Sequence, residues 1–291
     1  MSIVEFLLAG TLAAALPLLL AALGEMVVER TGLLNLGLEG MMAVGAAIAF
    51  IVVYESGSHL VGFIAAICAS AVLSLVFAVL VLGVKANQVA AGLAVSILGL
   101  GLSALFGKSY ESLVITGLAK LPFPVLSEIP VLGPTLFTQD IVVWVSILGC
   151  FALWYILNRT KVGLIVTAIG ENSEAARTIG YPVTRIRFAA VTFGGAMCGL
   201  AGAYASTVYT PLWAEGMIAG RGWIAVALVV FGTWKTGRIA FGALLFGLLS
   251  LGELTAQAAG VGLPSQVLSS LPYVATILML VVISKRATSP I

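Results

Sequence analysis

The chain has 291 residues, of which 61% are hydrophobic and 9% charged, and its mean hydropathy of +1.16 lies far outside the range of soluble domains. A formal net charge of +2 is too small to draw it to nucleic acid, and Cys68, Cys150 and Cys198 fall in apolar runs with no CxxC or metal-ligand spacing. Composition therefore describes an integral membrane protein and offers nothing for a redox or metal role.

The first apolar stretch, 3–24, is long enough to cross a bilayer and lacks the basic flank and cleavage site of a secretory signal, so it reads as a retained helix. Further apolar stretches follow at 33–54, 60–84, 89–106, 141–157, 188–207, 223–234, 239–255 and 271–283. They give an all-α polytopic bundle of about nine helices, or about eight to ten if the glycine-rich ones are broken or re-entrant. Alternating crossings collect Arg30, Lys85, Arg159, Lys161, Arg177, Arg185, Arg187, Lys235, Arg238, Lys285 and Arg286 on one side and leave Lys108, Lys120 and Arg221 on the other. The excess of basic residues marks the cytoplasmic side, which places the amino terminus outside and the carboxyl terminus in the cytoplasm. No internal repeat is visible, so 1–291 reads as one membrane domain.

Two connections are long. The outer one, 108–139, carries Pro122, Pro124, Pro130 and Pro134 and is expected to form an extended, turn-rich cover. The inner one, 159–187, is too polar for lipid yet patterned as a short helix. Asn172 or Ser173 can cap it, Glu174 complements its dipole, Gly180 supplies a left-handed end and Pro182 follows. Such a helix beneath the membrane is suited to touch something in the cytoplasm. "GLSALFGKS", from Gly101, resembles a phosphate-binding loop, but its glycine spacing is one residue too long and no strand precedes it, so the chain shows no ATP site of its own.

Polar groups within apolar stretches are costly and face a cavity or one another. An inner cluster is expected from Asn35 and Glu39, at helical i,i+4 spacing, with Asn87 and Gln88 beside them and Arg30 or Lys85 as counter-charge. Glu39 would then lie about 9 Å deep, counted from Leu33 at the helical rise. It reads either as a gate or solute contact, or as a network fixing helix packing. An outer cluster is expected from Glu253 and Gln257, also at i,i+4, with Arg221 and Trp223 of "AGRGW". The stretch 223–234 rises only about 18 Å, so it either starts within the membrane, aiming its positive end into a cavity, or extends backward and crosses fully. Gly195 and Gly199 stand in GxxxG spacing, which suits either a dimer face or packing within the chain.

Taken in order, "LPLLLAALGEMVVERTGLLNLGLEGMMAVGA", "KANQVAAGLAVSILGLGLSALFG", "AIGENSEAARTIGYPVTRIRFAAVTFGGAMCGLAGAY" and "AGRGWIAVALVVFG" resemble the permease subunits of bacterial ABC importers. The branch is that of ribose and branched-chain amino acid permeases, with members assigned to nucleosides or simple sugars. The resemblance implies a type II-like permease in the cytoplasmic (inner) membrane that binds no cofactor and leaves ATP and Mg to separate cytoplasmic ATPase subunits. It would pair with a second permease, paralogous or identical, and receive solute from an external binding lipoprotein. The Gly170–Gly180 segment would be the coupling helix, with Glu171, Asn172, Ser173, Glu174, Arg177 and Gly180 at the ATPase contact. The solute would be a nucleoside, with a simple sugar or riboflavin as alternatives; an ion-coupled secondary transporter using Glu39 or Glu253 is the rival class.

Overall fold

The computed structural model describes residues 3–121 and 137–258, together with Ser270 and Val274. The stretch 271–283, apart from Val274, and the four prolines of the outer connection lie outside the described residues. Eight of the nine apolar stretches fall inside them, and each is helical over most of its length.

In chain order the helices are α1 (Ile3–Glu29), α2 (Leu38–Ser56), α3 (His59–Ala78), α4 (Gln88–Gly107), α5 (Ile141–Arg159), α6 (Lys161–Glu171), α7 (Ser173–Thr178), α8 (Val183–Tyr204), α9 (Arg221–Phe231) and α10 (Thr236–Ala258). One π-helical turn, Val79–Gly83, prolongs α3 and another, Ala205–Tyr209, prolongs α8. With these included, seven helices among the described residues are long and apolar enough to cross a membrane by length and composition, and α9 is a shorter apolar one. Helix starts follow local chemistry. Asn87 Oδ1 accepts from the amides of Val89 and Ala90, and Asp140 Oδ1 from those of Val142 and Val143, each satisfying donors that the first turn leaves unpaired. The phosphate-loop lookalike is the end of α4 with the 3₁₀ turn Lys108–Tyr110.

The centre of the bundle is α2, 72% of whose spanning window is buried, whereas α5 is only 17% buried. Apolar side chains on α3, α4 and α5, such as Ile97, Leu105 and Leu148, face outward, which costs nothing when the surrounding medium is hydrocarbon. With no hydrophobic drive between helices in that medium, close approach and hydrogen bonding hold them together. Gly195 lies against Ser74, Gly199 against Ala66 and Ser70, and Gly202 against the Met42 carbonyl. The GxxxG run is therefore spent within the chain, seating α8 between α3 and α2. Ser70 Oγ donates to Met41 O and Ser206 Oγ to Ala46 O, both at 2.8 Å, and tie α3 and α8 to α2. Tyr204 donates to Asp140 Oδ2 at 2.9 Å and anchors the loosely packed α5 to the core.

The chain between α1 and α2 is not helical over 30–37, so Asn35 and Glu39 do not share a helix face. Asn35 belongs to the break itself. Its amide donates to Glu25 Oε1 at 2.8 Å and its Oδ1 accepts from Gly37 at 2.9 Å, a local turn that satisfies backbone the helix has released.

Gly202→Leu is expected to overpack the α2–α8 contact at a cost of about 1–3 kcal/mol or more, seen as a lower unfolding temperature of the detergent-purified protein. Gly149→Ala, where an added Cβ meets open space, should leave that temperature unchanged.

Candidate functional site

The short helix α9 runs for 11 residues, about 16 Å, and is fixed at both ends by side chains from the first two helices. At its start Glu39 reaches across from the first turn of α2. Its Oε1 accepts from the Gly220 amide at 2.6 Å and its Oε2 from the Gly222 amide at 2.7 Å. The carboxylate thus caps the helix from another element and complements its positive end. Both glycines are required. Gly220 is left-handed at φ +81, and a Cβ on Gly222 would come within 2.5 Å of the Glu39 backbone. At the other end, the turn after α9 holds Thr233 and Trp234 at positive φ. There Trp234 Nε1 donates to Glu29 Oε2 and Arg30 Nη2 donates to Trp234 O, both at 2.6 Å.

Glu39 therefore lies about one α9 length, roughly 16 Å, from the Trp234 turn. Neither Arg30 nor Lys85 is its counter-charge. Arg221 is the cation nearest in charge to Glu39, but its guanidinium lies over the Tyr209 ring, 5.5 Å from the centroid.

Beside Glu39 is a cavity of about 350 Å³, lined by α2, α4, the 213–220 segment and Trp223. The size falls in the range of about 300–1,000 Å³ typical of small-molecule sites. Its walls include Glu39, Ser103, Trp213, Glu215 and Trp223 together with apolar Leu100 and Met217. Trp213 is buried against Gly107, while Trp223 is 41% exposed.

The two expected clusters are redistributed. Glu39, Arg221 and Trp223, assigned to opposite clusters, meet at the start of α9. Asn35 is engaged with Glu25, Gln88 accepts from the Leu34 amide at 3.2 Å, and Asn87 serves as the exposed cap of α4. Glu253 and Gln257 hydrogen-bond to each other at 3.1 Å on α10, and neither lines this cavity. Sequence reasoning missed Ser103 and Glu215 on the cavity wall. It also missed Asp140, for which the "QDIV" helix start was an available signal.

In the inner connection, Asn172 Oδ1 accepts from the Ala175 amide at 2.9 Å and caps α7, which runs from Ser173. Gly180 is left-handed at φ +98. Glu171, Asn172, Glu174, Arg177 and Gly180 are exposed and Ser173 is half-buried. A second helix, α6, was not foreseen. Buried Ile169, Ala176 and Val183 join α6, α7 and the start of α8 into one small core. This unit sits on the turn after α1, where Gly170 meets the Arg30 carbonyl and Arg187 Nε donates to Thr31 O at 3.0 Å.

A helical bundle with a broken second segment, a half-length helix beside a cavity and a separate polar helical unit at its basic end defines a membrane transport subunit. Residues 7–283 match the family described as "Branched-chain amino acid transport system / permease component", and the chain belongs to that family. It is 39% identical to "Putative glucose ABC transporter permease protein TsgC13" of Haloferax volcanii, covering 96% of this chain and 92% of that one. It is 34% identical to "Guanosine ABC transporter permease protein NupQ" of Bacillus subtilis, over 99% and 95%. Against "Nucleoside ABC transporter permease protein NupC" of Lactococcus lactis the figures are 29%, 98% and 94%.

Replacing Glu39 by Gln leaves one acceptor for two buried amides, and a loss of about 1–3 kcal/mol is expected. The local signature is faster hydrogen exchange over 220–223, measured by mass spectrometry, with exchange at the Asn87-capped start of α4 unchanged.

Proposed function

We propose that this chain is the membrane-crossing subunit of an ATP-driven importer for a simple sugar or a nucleoside. Solute would come from an external binding protein, and ATP and Mg would be bound and turned over by separate ATPase subunits docked at the basic end. That end is then cytoplasmic, with the amino terminus outside and the bundle in the cell's inner membrane beside a second permease, paralogous or identical. The relatives carry glucose, guanosine and nucleoside in their names, which supports a neutral, hydroxyl-rich solute and ranks sugar beside nucleoside.

The observation that carries the reading is the seating of the α6–α7 unit. It exposes Glu171, Glu174, Arg177 and Ile179, the last 76% exposed, while resting on the Arg30–Thr31 turn that leads through the break to Glu39. A partner that favours one position of this unit when ATP is bound would bias the break, Glu39 and the start of α9 together. The chemistry of the chain's own residues is limited to holding and releasing solute, and no covalent step is assigned to it.

Reversing the charges at the docking surface with Glu174→Lys and Arg177→Glu is expected to leave membrane insertion intact. In a reconstituted complex it should lower ATP-driven uptake about tenfold or more, since each desolvated charge pair lost at such an interface costs roughly 2–5 kcal/mol. Uptake measured against ATP consumed checks this; coupled transport at the unaltered rate would exclude α7 as the ATPase contact.

A further inference from the structure

Resting on the importer reading, we infer that the cavity beside α9 is the solute-contact site and that it takes an uncharged ring-shaped solute while turning away that solute's anionic derivatives. Trp223 supplies the flat contact and Ser103 and Glu215 the hydrogen-bonding groups; Glu39 positions the wall and does not bind solute.

The charge argument comes from the lining. Among the described residues its only ionisable side chains are Glu39 and Glu215, both acidic, and no cation lines it. An anion entering a space of low dielectric beside a carboxylate meets repulsion with no compensating partner. Of the two features that could attract an anion, the amides of Gly220 and Gly222, at the positive end of α9, donate to Glu39, while the Arg221 guanidinium lies over the Tyr209 ring, with its Nη1 buried and unpartnered, outside the lining of the cavity. The half-length helix therefore does not offer its amino terminus to solute.

The contact argument comes from what is left unused. Ser70, Ser146 and Ser206 each donate to a backbone carbonyl, as hydroxyls in an apolar helix commonly do. Ser103, 7% exposed on α4 and facing the cavity, makes no such bond among the described residues. Its hydroxyl is free to donate to and accept from a ligand or water in that cavity. Trp223 projects from the first turn of α9 onto the same lining with much of its indole open, whereas Trp213 is packed away against Gly107. An open indole next to hydroxyl and carboxylate acceptors suits either the apolar face of a sugar ring or a nucleobase.

The test uses the complex purified with its partner subunits. Two readouts are taken on wild type, Trp223→Ala, Trp223→Phe and Glu215→Gln. One is ATP-driven uptake of glucose and of guanosine in proteoliposomes. The other is quenching of tryptophan fluorescence by glucose and by glucuronate with the binding protein left out, so that its own selectivity does not enter. The expected result is that glucose quenches wild type, glucuronate does not, and the quench is lost in Trp223→Phe. Uptake of the transported solute should fall at least about tenfold in Trp223→Ala and stay within about threefold in Trp223→Phe, which keeps a flat face. Equal quenching by glucuronate, or transport by Trp223→Ala and Glu215→Gln at the wild-type rate, would overturn the inference while leaving the importer intact. If wild type takes up neither glucose nor guanosine, the importer reading for this solute class fails first.

Discussion

The structure depends on the Glu39 carboxylate receiving the two amides of Gly220 and Gly222. A helix that begins inside a membrane exposes unpaired backbone donors where no water can satisfy them, and a side chain from elsewhere must do so. Glu39 does this with both oxygens, accepting one amide on each at the positive end of the helix that it caps. The pairing ties α2 to α9 and sets the height of the cavity wall. It also accounts for the composition of "AGRGW": one glycine for the left-handed turn and one for the closeness of the Glu39 backbone.

Around this pairing the bundle is assembled from small residues and backbone-directed hydroxyls. The glycines of α8 let it settle between α2 and α3, and Ser70 and Ser206 reach α2 carbonyls. Of the spanning helices α2 is the most buried and α5 the least, and the Tyr204–Asp140 hydrogen bond ties the start of α5 to α8. Outward apolar faces on α3, α4 and α5 suit lipid or a second permease. The α6–α7 unit sits at the basic end on the same turn that opens the broken segment, so the stretch that carries the exposed helical unit leads directly to Glu39 on the cavity wall.

How much of this was legible in the sequence varies with the range of the physics involved. The apolar helices, the Asn172 cap and the Gly180 end are local properties of composition, periodicity and side-chain chemistry, and the ordered motifs carried the family. The break at 30–37 was not legible, because Asn35 and Glu39 at i,i+4 spacing fit a helix as well as a turn. What decides between them is Glu25, which takes the Asn35 amide after the chain has folded back. The same limit explains the misgrouped polar residues: counting depth at the helical rise put Glu39 and Arg221 on different levels.

By itself, then, the sequence determined an all-helical membrane protein with a basic end and a capped polar helix, since these follow from interactions between residues a few positions apart, and the ordered motifs carried the permease family; that α9 stays short was left open. Which side chain would satisfy the start of α9, where the GxxxG run would be used and which hydroxyl would be left facing a cavity were decided only by the tertiary structure. Those outcomes join residues more than a hundred positions apart, such as Glu39 to Gly220 and Met42 to Gly202. In a medium with no water to take up unpaired groups, the folded arrangement selects among partners that the sequence leaves equivalent.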